Sequence, residues 1–127
     1  MKTLVAPFLC LLLCTTAYAQ VPKLNSYPGA SAVVFLDFDG QTVANTSWNW
    51  NGPIYCGPSG LTNEGVTEVF NRVAEDYRPF QINVTTDSSR FYSASPTKRM
   101  RIIFTSSHEW YGNAGGVSFI GSFIWGD

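Results

Sequence analysis

Val66, Val69, Phe70, Val73, Ala74 and Tyr77 recur at i, i+3, i+4, i+7, i+8 and i+11. That spacing places them on one face of a helix. Thr62 is placed as its N-cap, Glu64 and Glu68 favour the positive N-terminal end, and Pro79 stops it. A strand-like run stands on either side. Ala32-Val-Val-Phe-Leu-Asp-Phe-Asp39 is apolar and then alternating, and Gln81-Ile-Asn-Val-Thr85 follows the helix. Strand, helix, strand implies a parallel pair joined by a right-handed crossover. The fold class expected is therefore α+β with an α/β-like start.

The rest of the chain is read by the same rules. Asp39-Gly40 makes a turn, and Gln41-Thr42-Val43 is placed to pair back as a hairpin. Asn45 to Gly60 is rich in Asn, Gly, Pro and Trp and reads as loop. Asp87 to Thr97 reads as loop with a turn of helix. Arg99-Met-Arg-Ile-Ile-Phe-Thr105 reads as a second core strand, and Val117 to Trp125 as one or two more. The late strands lie close together, which allows an antiparallel edge. The expected sheet is twisted and mixed, with about four to five strands and one backing helix.

The first residues have a different character. Lys2 is followed by an almost unbroken apolar run from Leu4 to Cys14, and Ala17-Tyr18-Ala19 supplies small residues at the positions a signal peptidase reads. That order predicts a secretory signal over residues 1–19, cleaved near Ala19/Gln20. The run is shorter than the ~20 residues that span a bilayer. A buried N-terminal helix is the plainer alternative. A lipid anchor on Cys14 is disfavoured because Leu13, before it, is not small. The expected location is extracellular or periplasmic, with no membrane association after cleavage.

Removing 19 residues from 127 leaves 108, one domain at most. Residues 20–31, polar and proline-containing, read as a linker or short pro-segment, and residues 32–127 as the domain. The net charge of −1 becomes −2 without Lys2, and no basic block exists, which argues against a nucleic-acid partner. Cys56 is the single cysteine of the mature chain. It is either a buried free thiol or one half of a disulfide whose partner lies elsewhere. The apolar run Gly116 to Trp125 stops at Gly126-Asp127 without a closing helix or polar tail. Chain ends are ordinarily polar, so a longer reading frame is expected.

Two short motifs invite chemistry. Val33-Val-Phe-Leu-Asp37-Phe-Asp39-Gly40 resembles the first motif of haloacid-dehalogenase-type phosphatases, and Ile102-Ile103-Phe104-Thr105 resembles their second. The resemblance implies Asp37 as nucleophile and Asp39 as acid and base beside Mg²⁺. Gln41 stands where Thr is usual, and the later Lys and acidic-pair motifs have no counterpart. The plain alternative is two carboxylates beside a turn. His108-Glu109 begins like a zinc-protease helix, but the fifth position is Gly112 and His108 is the single histidine. It reads as a surface-loop histidine.

Longer segments carry a wider resemblance. Phe70-Asn-Arg-Val-Ala-Glu75-Asp76-Tyr77-Arg-Pro79-Phe80-Gln-Ile-Asn83-Val84-Thr85-Thr86-Asp87 and Trp110-Tyr111-Gly112-Asn-Ala-Gly115-Gly116-Val-Ser-Phe-Ile-Gly121-Ser-Phe123 stand in order with Leu36-Asp37-Phe38-Asp39-Gly40 and Trp48-Asn49. Together they resemble secreted, mostly bacterial zinc metallopeptidases of the metzincin type, over about Val33 to Trp125. The resemblance implies a zincin-like upper subdomain, with Thr62 to Tyr77 as backing helix and an antiparallel edge strand near Gly116 to Phe123. It further implies that Gly115, Gly116, Val117, Ser118 and Phe119 pair with a peptide or protein substrate by strand addition. The family's zinc ligands and catalytic Glu have no counterpart here. The expectation is thus an N-terminal fragment, truncated before its zinc helix and inactive alone, with zinc as cofactor of the full-length protein.

Three further readings complete the set. Glu75 and Asp76 sit at a helix C-terminus, where acidic groups oppose the dipole, so a salt bridge, a cap or Ca²⁺ is expected. Asn45-Thr-Ser47 and Asn83-Val-Thr85 match the glycosylation pattern and carry no weight, the second because it lies in a strand. A non-catalytic β-rich binding module exposing Trp48, Trp50, Trp110 and Trp125 is the alternative to an enzyme.

Overall fold

A computed structural model describes residues 20–125. The signal peptide expected over residues 1–19 lies outside them. The elements are β1 (Ala32–Asp37), β2 (Gln41–Val43), β3 (Ile54–Cys56), α1 (Asn63–Asp76), β4 (Ile82–Thr85), α2 (Ser88–Ser93) and β5 (Arg99–Ile103). Short 3-10 turns lie at Pro96–Lys98 and Ser122–Ile124. The fold is mixed α and β.

The main sheet has the order β4-β1-β5 with every pair parallel. The chain leaves β1, crosses through α1 to β4, then crosses through α2 to the other flank of β1. Val34, Leu36 and Phe38 point to one face and pack on Val66 and Phe70 of α1 and on Val84. Phe35 points to the other face and meets Phe91 of α2, ring centroids 5.6 Å apart. A parallel strand covered on both faces must be apolar on both. That is why Val33 to Leu36 is an unbroken apolar run.

The backing helix forms as its sequence dictates. Thr62 caps it, its hydroxyl accepting from the Gly65 amide at 3.3 Å. Val66 and Phe70 are the buried residues of its apolar face, and the helix ends at Asp76, three residues before Pro79. The partner expected for Glu75 and Asp76 is not formed. Arg72 pairs instead with Glu68, one turn back, at 2.7 Å. Neither acidic side chain has a partner among the described residues, an arrangement solvent tolerates because both are exposed.

Several expectations are corrected. The main sheet has three strands, not four or five, and β5 joins it in parallel. Among the named strands of the described residues, the antiparallel pair is β2 with β3, a separate two-stranded sheet in which Gln41 faces Cys56 and Val43 faces Ile54. β2 therefore does not fold back on β1, and the stretch read as loop over 45–60 contains a strand. Residues 116–121 form no strand and no antiparallel edge. Gly121 sits at φ 77°, which turns the run into the 3-10 turn Ser122–Ile124 and leaves Ile120 fully exposed.

Part of the segment 20–31 is bonded to the end of β4. Asn25 bridges Thr85 antiparallel, Ser26 N donates to Val84 O at 2.9 Å, and Thr86 N donates to Leu24 O at 3.1 Å. Side chains complete the seam. Asn83, almost fully buried, accepts from Tyr27 N and donates to Asn25, while Thr86 bonds Leu24 N and Pro22 O. The lead looks like a tether in sequence because its pairing partners, Asn83, Thr85 and Thr86, supply bonds that its own prolines lack.

Candidate functional site

The C-terminal ends of β1 and β5 and the exit of β3 are tied into one corner. Phe104 N donates to Asp37 O at 2.8 Å, and Phe38 stacks on Phe104 with centroids 4.4 Å apart. Ser59 N donates to Phe38 O, Gly57 N to Ser107 Oγ, and Ser106 Oγ to Pro58 O. Gly40 adopts φ 96°, and a Cβ there would stand 3.1 Å from Cys56 O and from Pro58 N. The turn after Asp39 thus requires glycine both for its dihedral and for its closeness to the β3 exit.

Asp37 ends β1 on the α2 face and is 2 % exposed. Arg101 of β5 lies 3.6 Å from its carboxylate. The same guanidinium donates to Tyr92 Oη at 2.8 Å and covers the Phe91 ring at 4.8 Å. Burial pushes the Asp37 carboxyl up to about 7, helped by the neighbouring Asp39 and opposed by the positive charge of Arg101. Among the described residues, Asp37 Oδ1 and Arg101 Nε have no hydrogen-bond partner. Asp39 is exposed on the turn.

This geometry is that of a buried structural pair. A phosphoryl-transfer nucleophile must reach phosphorus, whereas Asp37 is 2 % exposed with the Arg101 guanidinium 3.6 Å from its carboxylate. Thr105, the other residue of that resemblance, spends its hydroxyl accepting from Ser107 N at 3.0 Å. Asp37 is therefore not placed as a nucleophile.

Cys56 is a free, half-buried thiol. Burial raises its pKa, and the Asp37 charge raises it further. His108 lies in an exposed turn, where its backbone N–H donates to Glu109 Oε2 at 3.0 Å. Backbone amides, its own and that of His108, hold the Glu109 carboxyl below its ordinary value. A catalytic zinc needs three converging protein ligands. No group of three His, Cys, Asp or Glu converges among the described residues, so they do not fit that ion.

The residues expected to take substrate stand apart from the sheet. Gly115 and Gly116 are exposed with open space around their α-carbons. Phe119 turns inward and packs on Trp48 at 4.7 Å and on Trp50 at 6.0 Å. Trp125 closes this cluster, 5.5 Å from Phe119 and 6.0 Å from Trp48. Phe123 reaches the main core. Of the four tryptophans, Trp50 is the most open, at 74 %. The pairing of Arg101 with Asp37 was not read from the sequence. Its signal is an arginine between Met100 and Ile102 in a core strand, which stays buried only beside a carboxylate.

No protein-family model, curated protein or solved structure matches the chain.

Proposed function

We propose that this chain is the sheet-bearing N-terminal part of a secreted zinc-dependent metalloendopeptidase of the metzincin type. One observation carries the reading. Among the segments that bear the resemblance (36–40, 48–49, 70–87 and 110–123), 36–40, 48–49 and the end of 110–123 meet at one end of a parallel sheet, while 70–87 supplies the exit of α1 and β4. Trp48 contacts both Phe119 and Trp125, and Phe123 packs against the core that contains Phe38. Residues nearly eighty positions apart are thus held as one surface beside the strand ends. The chain's own contribution in this reading is scaffold and substrate-facing surface. The zinc ligands belong to sequence beyond it, and no chemical step is assigned to residues of this chain.

Export rests on the order of charge, apolar run and small-residue site in residues 1–19. No helix among the described residues is long and apolar enough to cross a membrane.

Reading the gene past codon 127 tests the proposal. An in-frame His-Glu-x-x-His is expected. The extended polypeptide should then hold one zinc per chain and cleave peptides in a chelator-sensitive way, while the 127-residue chain does neither. A stop at codon 128, or stoichiometric zinc on the 127-residue chain, would overturn it.

A further inference from the structure

At the opposite end of the sheet, where β1 and β4 begin, a cavity of about 420 Å³ opens between the start of β1 and the end of α2. Its size falls in the range of small-ligand sites. Arg90 and Lys98 both line it, and no Asp or Glu does. Ser31 adds a hydroxyl, Ser93 spends its own on the Arg90 carbonyl at 3.0 Å, and Pro28 and Val33 supply apolar wall.

The two cations are free. Lys23 pairs with Asp87, Arg72 with Glu68 and Arg101 with Asp37. Neither the Arg90 nor the Lys98 side chain has a hydrogen bond or ion pair among the described residues. The end of α2, whose carbonyls attract cations, does not hold them. Arg99 already occupies that position, its Nη1 donating to the carbonyls of Phe91, Tyr92 and Ala94 at 3.3 to 3.4 Å. The same Arg99 covers the Phe91 ring at 4.6 Å, which fixes it there. The carbonyls that would repel an anion are therefore masked, and two unpaired cations remain on one concave wall.

We propose that this cavity binds a tetrahedral oxyanion, as inorganic phosphate or as the phosphoryl group of a compact monoester. Arg90 offers a planar fork to two oxygens, and Lys98 a point charge to a third. Pro28 and Val33 give the organic part of an ester an apolar wall. The site is independent of the peptidase reading, because it lies at the other end of the sheet and its two cations, Arg90 and Lys98, stand outside the segments that carry that resemblance.

Isothermal titration of the purified chain at low salt with inorganic phosphate, and separately with phenyl phosphate, tests the proposal. Saturable one-to-one binding is expected. Loss of a charge-assisted contact predicts affinity weakened at least about tenfold in Arg90→Gln and in Lys98→Gln, and more in the double variant. Both positions are exposed, so circular dichroism should be unchanged. Arg78→Gln removes a cation outside the cavity and should leave affinity as it was. Tighter binding of phenyl phosphate identifies the ester as the ligand form, and equal binding identifies the free anion. Absence of saturation, an unaffected double variant, or equal weakening by Arg78→Gln overturns the proposal.

Discussion

The Arg101 guanidinium and the Asp37 carboxylate meet 3.6 Å apart between β5 and β1, with side chains 15 % and 3 % exposed. Their strands pair in parallel with Phe35 opposite Arg101. Asp37 therefore sits one same-face step beyond its partner. The pair is enclosed by Phe35, Phe91 and Tyr92, whose rings the guanidinium covers. Replacing a buried pair by apolar groups is often harmless, but removing one partner strands the other. The buried carboxyl, pushed up to about 7, takes a proton when Arg101 is removed, so Arg101→Met should cost roughly 1–3 kcal/mol in denaturant unfolding at neutral pH, and the double change Asp37→Leu/Arg101→Met markedly less. A double variant that loses as much as Arg101→Met and Asp37→Leu added together would show that the pair is not coupled.

The same carboxyl sets a pH dependence. Its ordinary value of 3.8 rises to about 7 in the fold. Between those values the folded state holds the proton and the unfolded state does not. Stability therefore falls as pH rises from about 4 to about 7, by an amount of the order of a few kcal/mol. Asp39, Arg101 and Cys56 are the titratable or charged groups that act on it or feel its charge. Urea unfolding at half-unit pH steps should show the decline, and Asp37→Asn should flatten it. A curve that climbs through this window in the wild-type chain contradicts the assignment.

The helix start gives a smaller effect. Thr62→Ala removes the hydroxyl that accepts from Gly65 N and should cost about 1 kcal/mol, while Thr62→Ser should cost little. Thermal melts of the two variants separate these outcomes. Equal melting of wild type and Thr62→Ala would mean that the cap contributes nothing.

β1, α1, β4 and β5 were legible because each carries its own period. A run buried on both faces, a 3.6-residue stripe with a threonine cap, and short β-branched runs need no knowledge of the rest of the chain. Order within the sheet was only half legible. Strand-helix-strand predicts the β1–β4 pair, but nothing local in Arg99 to Ile103 says that β5 returns to the free flank of β1. Gly116 to Trp125 is misread for a physical reason. Its apolar residues look like a strand, yet Phe119, Phe123 and Trp125 are drawn to Trp48 and the core, and Gly121 supplies the turn that lets them reach. The bonds of the lead 20–31 are missed for the opposite reason, since the groups that anchor it lie about sixty residues away on β4. At the candidate site, Asp37 and Asp39 were singled out by the motif, whereas burial and Arg101, which decide what Asp37 does, are tertiary facts.

That anchoring makes its own prediction. Asn83 is 1 % exposed and bonds both Tyr27 N and Asn25 Oδ1. Asn83→Ala leaves the Tyr27 amide without its acceptor and removes one of the two donors to Asn25 Oδ1, the other being the Thr85 hydroxyl, at a cost of about 1–3 kcal/mol. Hydrogen exchange should locate the effect. The amides of Ser26 and Thr86, which bond across the seam, should lose protection before those of Val66 to Phe70 in α1. Uniform loss across both regions would mean that the lead and the core unfold together.

Cys56 offers a chemical probe of the corner at the strand ends. The thiolate is the reactive form, and burial, reinforced by the Asp37 charge, pushes the Cys56 thiol above its ordinary value. The folded chain should react with a disulfide reagent at pH 8 more slowly than the same chain in denaturant. Asp37→Asn removes the nearby negative charge and should raise the folded-state rate modestly, most clearly above pH 7, where Asp37 is ionised. Gly40→Ala acts through a different route. A Cβ would press on Cys56 O and Pro58 N and force φ 96° on a residue that resists it, so the β3 exit must shift and the thiol must open. Its folded-state rate should rise towards the denatured value. A thiol that reacts equally fast in folded and unfolded wild-type chain would show that the turn at Gly40 does not close over Cys56.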